Sequence, residues 1–179
     1  WFTRAADSGN AAAQYQVAVM ASQGAGGPKD EATAALYYKK SLQTWKKEAD
    51  DGDSKAALWA ALVYERKLVP DSSPEKSVPY LLQAAESGNL TAQGLLAFKY
   101  RDGLGVPQDA AKAVEWFEKA ASRKDLGAVM ELGIMFRDGK YLPPDREKAF
   151  HWFEKGAEWK DPYSMAALAD MLLEGTPSA

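Results

Sequence analysis

A six-residue block recurs along the chain at a fixed interval. Trp116-Phe117-Glu118-Lys119-Ala120-Ala121 returns as Trp152-Phe153-Glu154-Lys155-Gly156-Ala157, 36 positions later, and Tyr80-Leu81-Leu82-Gln83-Ala84-Ala85 stands 36 positions before it. Trp1-Phe2-Thr3-Arg4-Ala5-Ala6 is a further copy, and Tyr37-Tyr38-Lys39-Lys40-Ser41-Leu42 a weaker one. A period of this length marks a repeat architecture, in which one supersecondary unit cannot bury its own apolar face and neighbours must stack to do so. Aligned on the block, the chain reads as a single array over 1–179. Full repeats lie at 11–53, 54–89, 90–125 and 126–161, and half repeats flank them at 1–10 and 162–179.

Each unit reads as a helix A, a tight loop and a helix B. Helix A carries small or apolar residues at helical spacing: Leu96, Ala97 and Tyr100 in one copy, Leu132, Gly133 and Phe136 in the next. A loop glycine follows at unit position 14 (Gly24, Gly103, Gly139, Gly175), where a helix ends on a left-handed residue. The second repeat has Lys67 there, which predicts a strained or differently built loop. Asp30, Ser73, Asp109 and Asp145 stand where helix B begins and are expected to cap it. The unit closes on Gly9-Asn10, Gly52-Asp53, Gly88-Asn89, Lys124-Asp125 or Lys160-Asp161. Small residues at unit position 8 (Ala18, Ala61, Ala97, Gly133, Ala169) let helix A approach its neighbours. The aromatic stripe at positions 1, 37, 80, 116 and 152 is then core, plugging the space against the following unit. No strand-like alternation competes, so the fold class is all-α.

The rest of the composition excludes more than it suggests. Apolar residues make up 46% of the 179 and charged residues 26%, enough for a real core. Net charge is −3 without a Lys/Arg block, which argues against a nucleic-acid surface. Cysteine is absent, ruling out disulfides and thiolate metal sites. His151 is the sole histidine; with Glu154 on the same helix face it supplies too few ligands for zinc. There is no Gly-x-Ser-x-Gly elbow, Walker loop or dinucleotide fingerprint, and Gly24-Ala25-Gly26-Gly27 joins two helices with no strand before it. The reading is therefore of a non-catalytic protein without a cofactor or metal. No apolar run reaches membrane-spanning length and no signal peptide is visible, leaving periplasm or cytoplasm open. Because Trp1 opens inside a repeat, the sequence reads as a piece of a longer array. Segment 162–174 is then an A helix without its B partner. Leu168, Met171 and Leu172 are expected to be partly bare and covered by further repeats, a second copy of the chain or lattice neighbours, so self-association through the ends is possible.

The stretch 92–121, Ala-Gln-x-x-Leu-Ala-x-x-Tyr-x-x-Gly-x-Gly-Val-Pro-Gln-Asp-x-x-x-Ala-x-x-Trp-Phe-x-x-Ala-Ala, resembles the Sel-one-like repeat, a relative of the tetratricopeptide repeat. The resemblance spans essentially the whole chain and is strongest over 90–161. The Gly-Val-Pro-Gln-Asp loop looks bacterial. The family implies a right-handed superhelical α-solenoid of antiparallel helix pairs, with A helices lining the concave side. It also implies an adaptor or scaffold role that binds a protein or peptide. Alternatives are a structural part of an envelope or secretion assembly, contacting through the convex face or ends, and, remotely, the β-lactam binding linked to cysteine-rich relatives, whose cysteines this chain lacks. By analogy with tetratricopeptide proteins, unit positions 2, 5, 9 and 12 face the concavity. These are Tyr15 and Val19; Leu58, Leu62 and Glu65; Phe98 and Arg101; Met130, Ile134 and Arg137; Tyr163 and Asp170. Tight curvature could bury the apolar ones, or they could form a groove with Phe98, Met130 and Ile134 as anchors. Arg101 and Arg137 could clamp a carboxylate, or pair locally with Asp102 and Asp138.

Two departures from the repeat stand out. The first full repeat is seven residues too long, and the excess at Gln43–Asp53 reads as two extra turns of helix B. Lys46, Lys47 and Glu48 suit a solvated helix; Trp45 does not, and Trp45 and Trp159, off the stripe, either pack on neighbours or mark contact surfaces. In the second repeat Pro79, six residues past Ser73, predicts a kink or a late helix start.

Overall fold

The computed structural model describes residues 2–173 and Gly175. Among them are ten α-helices and no strand: α1 (Phe2–Asp7), α2 (Ala11–Gln23), α3 (Glu31–Asp50), α4 (Ser54–Glu65), α5 (Pro74–Glu86), α6 (Leu90–Asp102), α7 (Ala110–Ala121), α8 (Leu126–Asp138), α9 (Arg146–Glu158) and α10 (Pro162–Leu173). The aromatic copy expected at Trp1 lies outside the described residues. The chain forms two compact units, Trp1–Asn89 and Leu90–Ala179. Within each unit consecutive helices pack in sequence, α1 to α5 in the first and α6 to α10 in the second.

Backbone bonds repeated from unit to unit set this geometry. The residue that starts helix B donates its N–H to the helix-A carbonyl nine positions earlier: Asp30 to Ala21 (2.9 Å), Asp109 to Tyr100 (2.8 Å) and Asp145 to Phe136 (2.8 Å). The same three aspartates accept from the N–H of Thr33, Lys112 and Lys148, closing the first turn of the helix. Ser73 makes neither bond. It begins α5 with an extended backbone but no side-chain cap, and Pro74 at the first helical position has no N–H to satisfy. Lys67 holds the left-handed conformation (φ 54°) that glycine takes in the other loops. This loop is built differently, as Lys67 predicted.

The step between units does two jobs. Asn10, Asp53, Asn89, Asp125 and Asp161 each donate an N–H to the carbonyl five residues back, which ends helix B. Asn10, Asp53, Asp125 and Asp161 also accept, through their side chains, from the third residue of the next helix A. The residue before each must be left-handed. Glycine stands there three times, but Lys124 (φ 63°) and Lys160 (φ 62°) take the same conformation.

The core differs from the sequence reading in one respect. Trp116 and Trp152 are buried at 7% and 9% exposure, yet the neighbouring Phe117 (1%) and Phe153 (0%) go deeper, and Tyr37 and Tyr80 are only half-buried. The innermost position is thus one residue later, at Tyr38, Leu81, Phe117 and Phe153. These side chains also reach back into their own unit. Phe117 meets Phe98 edge-on at 5.1 Å, Tyr38 meets Tyr15 at 5.4 Å, and Phe153 lies over Gly133. The preceding residue is turned by roughly 100° around an α-helix of 3.6 residues per turn, so its ring shares the A–B seam only partly.

Helix α3 runs for 20 residues, against 12 or 13 in α5, α7 and α9. The extension is not simply solvated: Trp45 and Ala49 are buried, and Gln83 Nε2 donates to the Ala49 carbonyl at 2.6 Å. Pro79 neither delays nor interrupts α5, which starts at Pro74 and runs through the exposed Pro79 to Glu86. Of the position-8 residues Ala18, Ala61, Ala97 and Gly133 are buried, but Ala169 is exposed. In α10, Leu168 is half-buried and Leu172 exposed as expected, whereas Met171 is buried.

Two consequences are measurable by chemical denaturation. A Cβ on Gly133 would lie 2.7 Å from Phe153 Cδ1, whereas one on Gly94 would meet nothing within 4 Å. Gly133→Ala is expected to destabilise by about 1–3 kcal/mol through overpacking, and Gly94→Ala to stabilise by about 0.5–1 kcal/mol. Lys124→Gly, at a left-handed position, is expected to stabilise by roughly 0.5 kcal/mol, the relief of strain exceeding the extra chain entropy.

Candidate partner-binding site

The A-helix residues singled out from the sequence fall into two groups, one in each unit. In the first unit Tyr15 is the centre of an aromatic cluster. Its ring lies 5.4 Å from Tyr38, 5.6 Å from Trp45 and 5.7 Å from Trp59, and Trp45 stacks on Trp59 at 5.4 Å and 16°. Trp45 belongs to the extension of α3 and Trp59 to α4, so the extra turns bring one more large ring against the helix-A face. This settles Trp45 as a packing residue. Trp59 remains 39% exposed. Arg66 Nη1 donates to the Tyr15 hydroxyl at 2.9 Å. Val19, Leu58, Leu62 and Glu65 are half-buried. Apolar atoms therefore reach the surface here without standing clear of it.

In the second unit α6 and α8 leave an apolar cleft of about 250 Å³ between them. Leu90, Leu95 and Phe98 line one side and Met130 the other, with buried Phe117 and Ala128 beneath. Gly94 and Gly127 also line it, and the absence of side chains there keeps it open. Phe98 and Met130 are half-buried, so part of each side chain stays accessible.

Arg101 borders this cleft. Its Nε and Nη2 donate to the two oxygens of Asp102, both at 2.8 Å, and Nη1 donates to Glu131 at 2.6 Å. The guanidinium lies 4.7 Å from the centre of the Phe98 ring and 5.3 Å from that of Tyr141, whose hydroxyl donates to Asp102 at 3.1 Å. The hydrogen bonds from Arg101 hold the Asp102 carboxyl below its usual pKa and raise that of the guanidinium itself. Beyond the network lies a second hollow of about 210 Å³, lined by Arg101, Glu131, Ile134, Met135, Asp138, Lys140 and Tyr141. Arg137 is exposed, donates from Nε to Asp138 at 2.7 Å and lies over Phe153 at 5.7 Å. Both arginines are thus paired with carboxylates of this chain. Tyr163 and Asp170 are exposed, and the Tyr163 ring sits 6.3 Å from Phe153.

The structure brings Phe98 and Met130 together in one cleft and Arg101 and Ile134 in the next, with Glu131 lining both. Sequence reasoning missed Trp59, Leu95 and Glu131. All three occupy unit position 6, next to a chosen position, and large residues recurring there were the available signal. Tyr141 comes from the A–B loop, outside any helical periodicity. Trp159 ends α9 half-buried, in a shallow depression with Lys124, Leu126, Glu158 and Lys160. His151 is exposed, and among the described residues no cluster of three or more His, Asp or Glu could hold a metal ion. No described helix is long and apolar enough to cross a membrane.

A comparison with curated proteins found no match. Solved structures share the architecture. A Sel1 repeat protein from Oxalobacter formigenes superposes with a TM-score of 0.72 at 24% identity, over 96% of this chain and 69% of that one. The protein c5321, a protective antigen of uropathogenic Escherichia coli strains displaying an SLR fold, does so with a TM-score of 0.69 at 24% identity, over 97% of this chain but only 44% of that one. The cysteine rich protein B of Helicobacter pylori gives 0.55 at 22% identity over 78% of this chain and 100% of that one. The chain thus spans less than half of the E. coli protein. The Sel1 repeat profile matches residues 1–10, 11–43, 55–89, 91–125, 127–158 and 162–178, and with this coverage and the helix pairs described above, the chain belongs to the Sel1 repeat family.

Proposed function

We propose that this chain is a non-catalytic scaffold that binds a partner protein through its A helices, with the cleft between α6 and α8 receiving an apolar segment of that partner. The observation that carries the reading is the open apolar cleft itself, about 250 Å³ and bordered by the half-buried Phe98 and Met130. A hollow of this kind, lined by aliphatic and aromatic side chains with polar groups at its margin, suits an apolar side chain presented by a helix or an extended peptide. Phe98 is the natural anchor contact, because its ring is held between Phe117 and the Arg101 guanidinium and loses little freedom on binding.

The Arg101 network has a different role in this reading. With two carboxylates already on the guanidinium, it fixes the end of the cleft and orients Phe98 instead of clamping a ligand carboxylate. Sel1 repeats are generally non-catalytic interaction modules, and the reading places this chain among them. Phe98, Met130, Ile134 and Arg101 would form the second unit's share of the partner surface, with Arg137 and Tyr163 toward α10. Tyr15, Leu58, Leu62 and Glu65 would form the first unit's share.

Peptides selected from a displayed library for binding to the full chain test the reading. Phe98→Ala and Met130→Ala are each expected to weaken the selected peptides on the order of 10-fold, the size of a modest hot spot, with circular dichroism and unfolding midpoint nearly unchanged. Binding insensitive to both substitutions, or a large loss of stability in Phe98→Ala, would show instead that these side chains serve only packing.

A further inference from the structure

The α3 extension that sets the first full repeat apart from the others also helps to build a hollow in the first unit. The spacing of Lys39, Leu42, Gln43 and Lys46 puts all four on one face of α3. Opposite them stand Tyr64 at the end of α4 and Val69, Pro70 and Asp71 of the α4–α5 loop, enclosing about 320 Å³. On the α3 wall, Lys46 lies in the stretch between residues 43 and 55 that the family profile leaves unmatched. The α4–α5 loop is the one that carries Lys67 in the left-handed conformation and lacks the backbone bond from the start of helix B.

The chemistry of the lining is two-sided. Leu42, Tyr64 and Val69 are buried and give it an apolar floor. Lys46 and Lys39 give it positive charge, and the ion pairs of the described residues leave both without a carboxylate partner. The carboxylate on the rim, Asp71, is already paired with Lys76 Nζ. Interaction with the Tyr64 and Tyr80 side chains beside it raises the Lys46 pKa. A hollow of this size and polarity is matched by a compact apolar group carrying one negative charge, since the floor takes the apolar part and the ammonium groups take the anion.

We infer that the hollow between α3 and the α4–α5 loop binds a free carboxylate borne on a compact apolar residue, as at the C-terminus of a peptide ending in Leu or Phe. It is independent of the A-helix cleft, and neither site needs the other to be occupied. Gln43 at the rim offers an amide to the peptide group that precedes such a terminus, which a free aliphatic or aryl acid would lack.

The test uses the full chain and three probes: N-acetyl-Ala-Leu-Phe with a free carboxylate, its C-terminal amide, and 3-phenylpropionate. Binding is followed through the side-chain methyl resonances of Leu42 and Val69. The free-acid peptide is expected to shift both, with the amide weaker on the order of 10-fold, the loss of one charge-assisted contact. Lys46→Met is expected to weaken the free acid by a similar factor without affecting the amide. If phenylpropionate binds and the peptide does not, the source is a small free acid and the carboxylate chemistry stands. Equal binding of acid and amide, or unmoved Leu42 and Val69 resonances in the wild-type chain at millimolar probe, would overturn the inference. The wild-type comparison of acid with amide is decisive without the variant, so the test stands even if Lys46→Met fails to fold.

Discussion

Two helices of about a dozen residues can form a unit only if one of them comes very close to the other, and here the closeness is obtained by pairing a large side chain with a missing one. Phe153 of α9 occupies the space that a Cβ on Gly133 of α8 would need. The corresponding A-helix residues Ala18, Ala61 and Ala97 are buried, as are Tyr38, Leu81 and Phe117 on the B helices. Interiors pack at crystal-like density, so a small residue on one helix and a large one on the other are parts of one constraint. Gly156 repeats the device at the next seam. A Cβ there would lie 2.6 Å from Ser164 Cβ of α10, and the buried Ser164 hydroxyl turns back to Asp161 at 2.6 Å, so its polarity is satisfied inside the junction.

The loops serve this packing. The nine-residue backbone bond from the start of helix B to helix A fixes the turn, and the residue that ends one helix caps the next. Such local closure leaves few ways to join the pairs, which suits an architecture whose stability is a sum of unit and neighbour terms. It also explains why the unusual second repeat is tolerated. Pro74 at the first helical position needs no cap for its absent N–H, and the exposed Pro79 displaces no packed neighbour. The freedom gained there, together with the lengthened α3, leaves the hollow below Lys46.

A surface meant for partners must hold apolar atoms at the surface without collapsing over them. In the second unit glycines do this: Gly94 and Gly127 leave space beside Phe98 and Met130 that side chains would otherwise fill. In the first unit Trp45 stacks on Trp59, and both rings lie against Tyr15 at tilted angles. The A-helix face therefore carries a cleft in one unit and an aromatic cluster in the other. The two arginines that could have supplied a charge clamp are held by Asp102, Glu131 and Asp138, and a guanidinium so paired contributes shape and orientation more than attraction.

The spacing of the aromatic block was sufficient to place the helix pairs and the left-handed glycines of the A–B loops, because period, caps and turn chemistry are properties of neighbours in the chain. Which ring of Trp116-Phe117 lies deepest, why Trp45 is buried and where Arg101 finds its second carboxylate depend on side chains that meet from different helices, and no local pattern encodes the angle at which they meet. The half-buried state of Phe98 and Met130 is of the same kind: position in the repeat marks them as facing a neighbour, but only the packing of α6 against α8 decides whether a cleft or a closed core results. Helical structure follows from contacts within a few residues; a binding surface is the space left over when distant ones have packed.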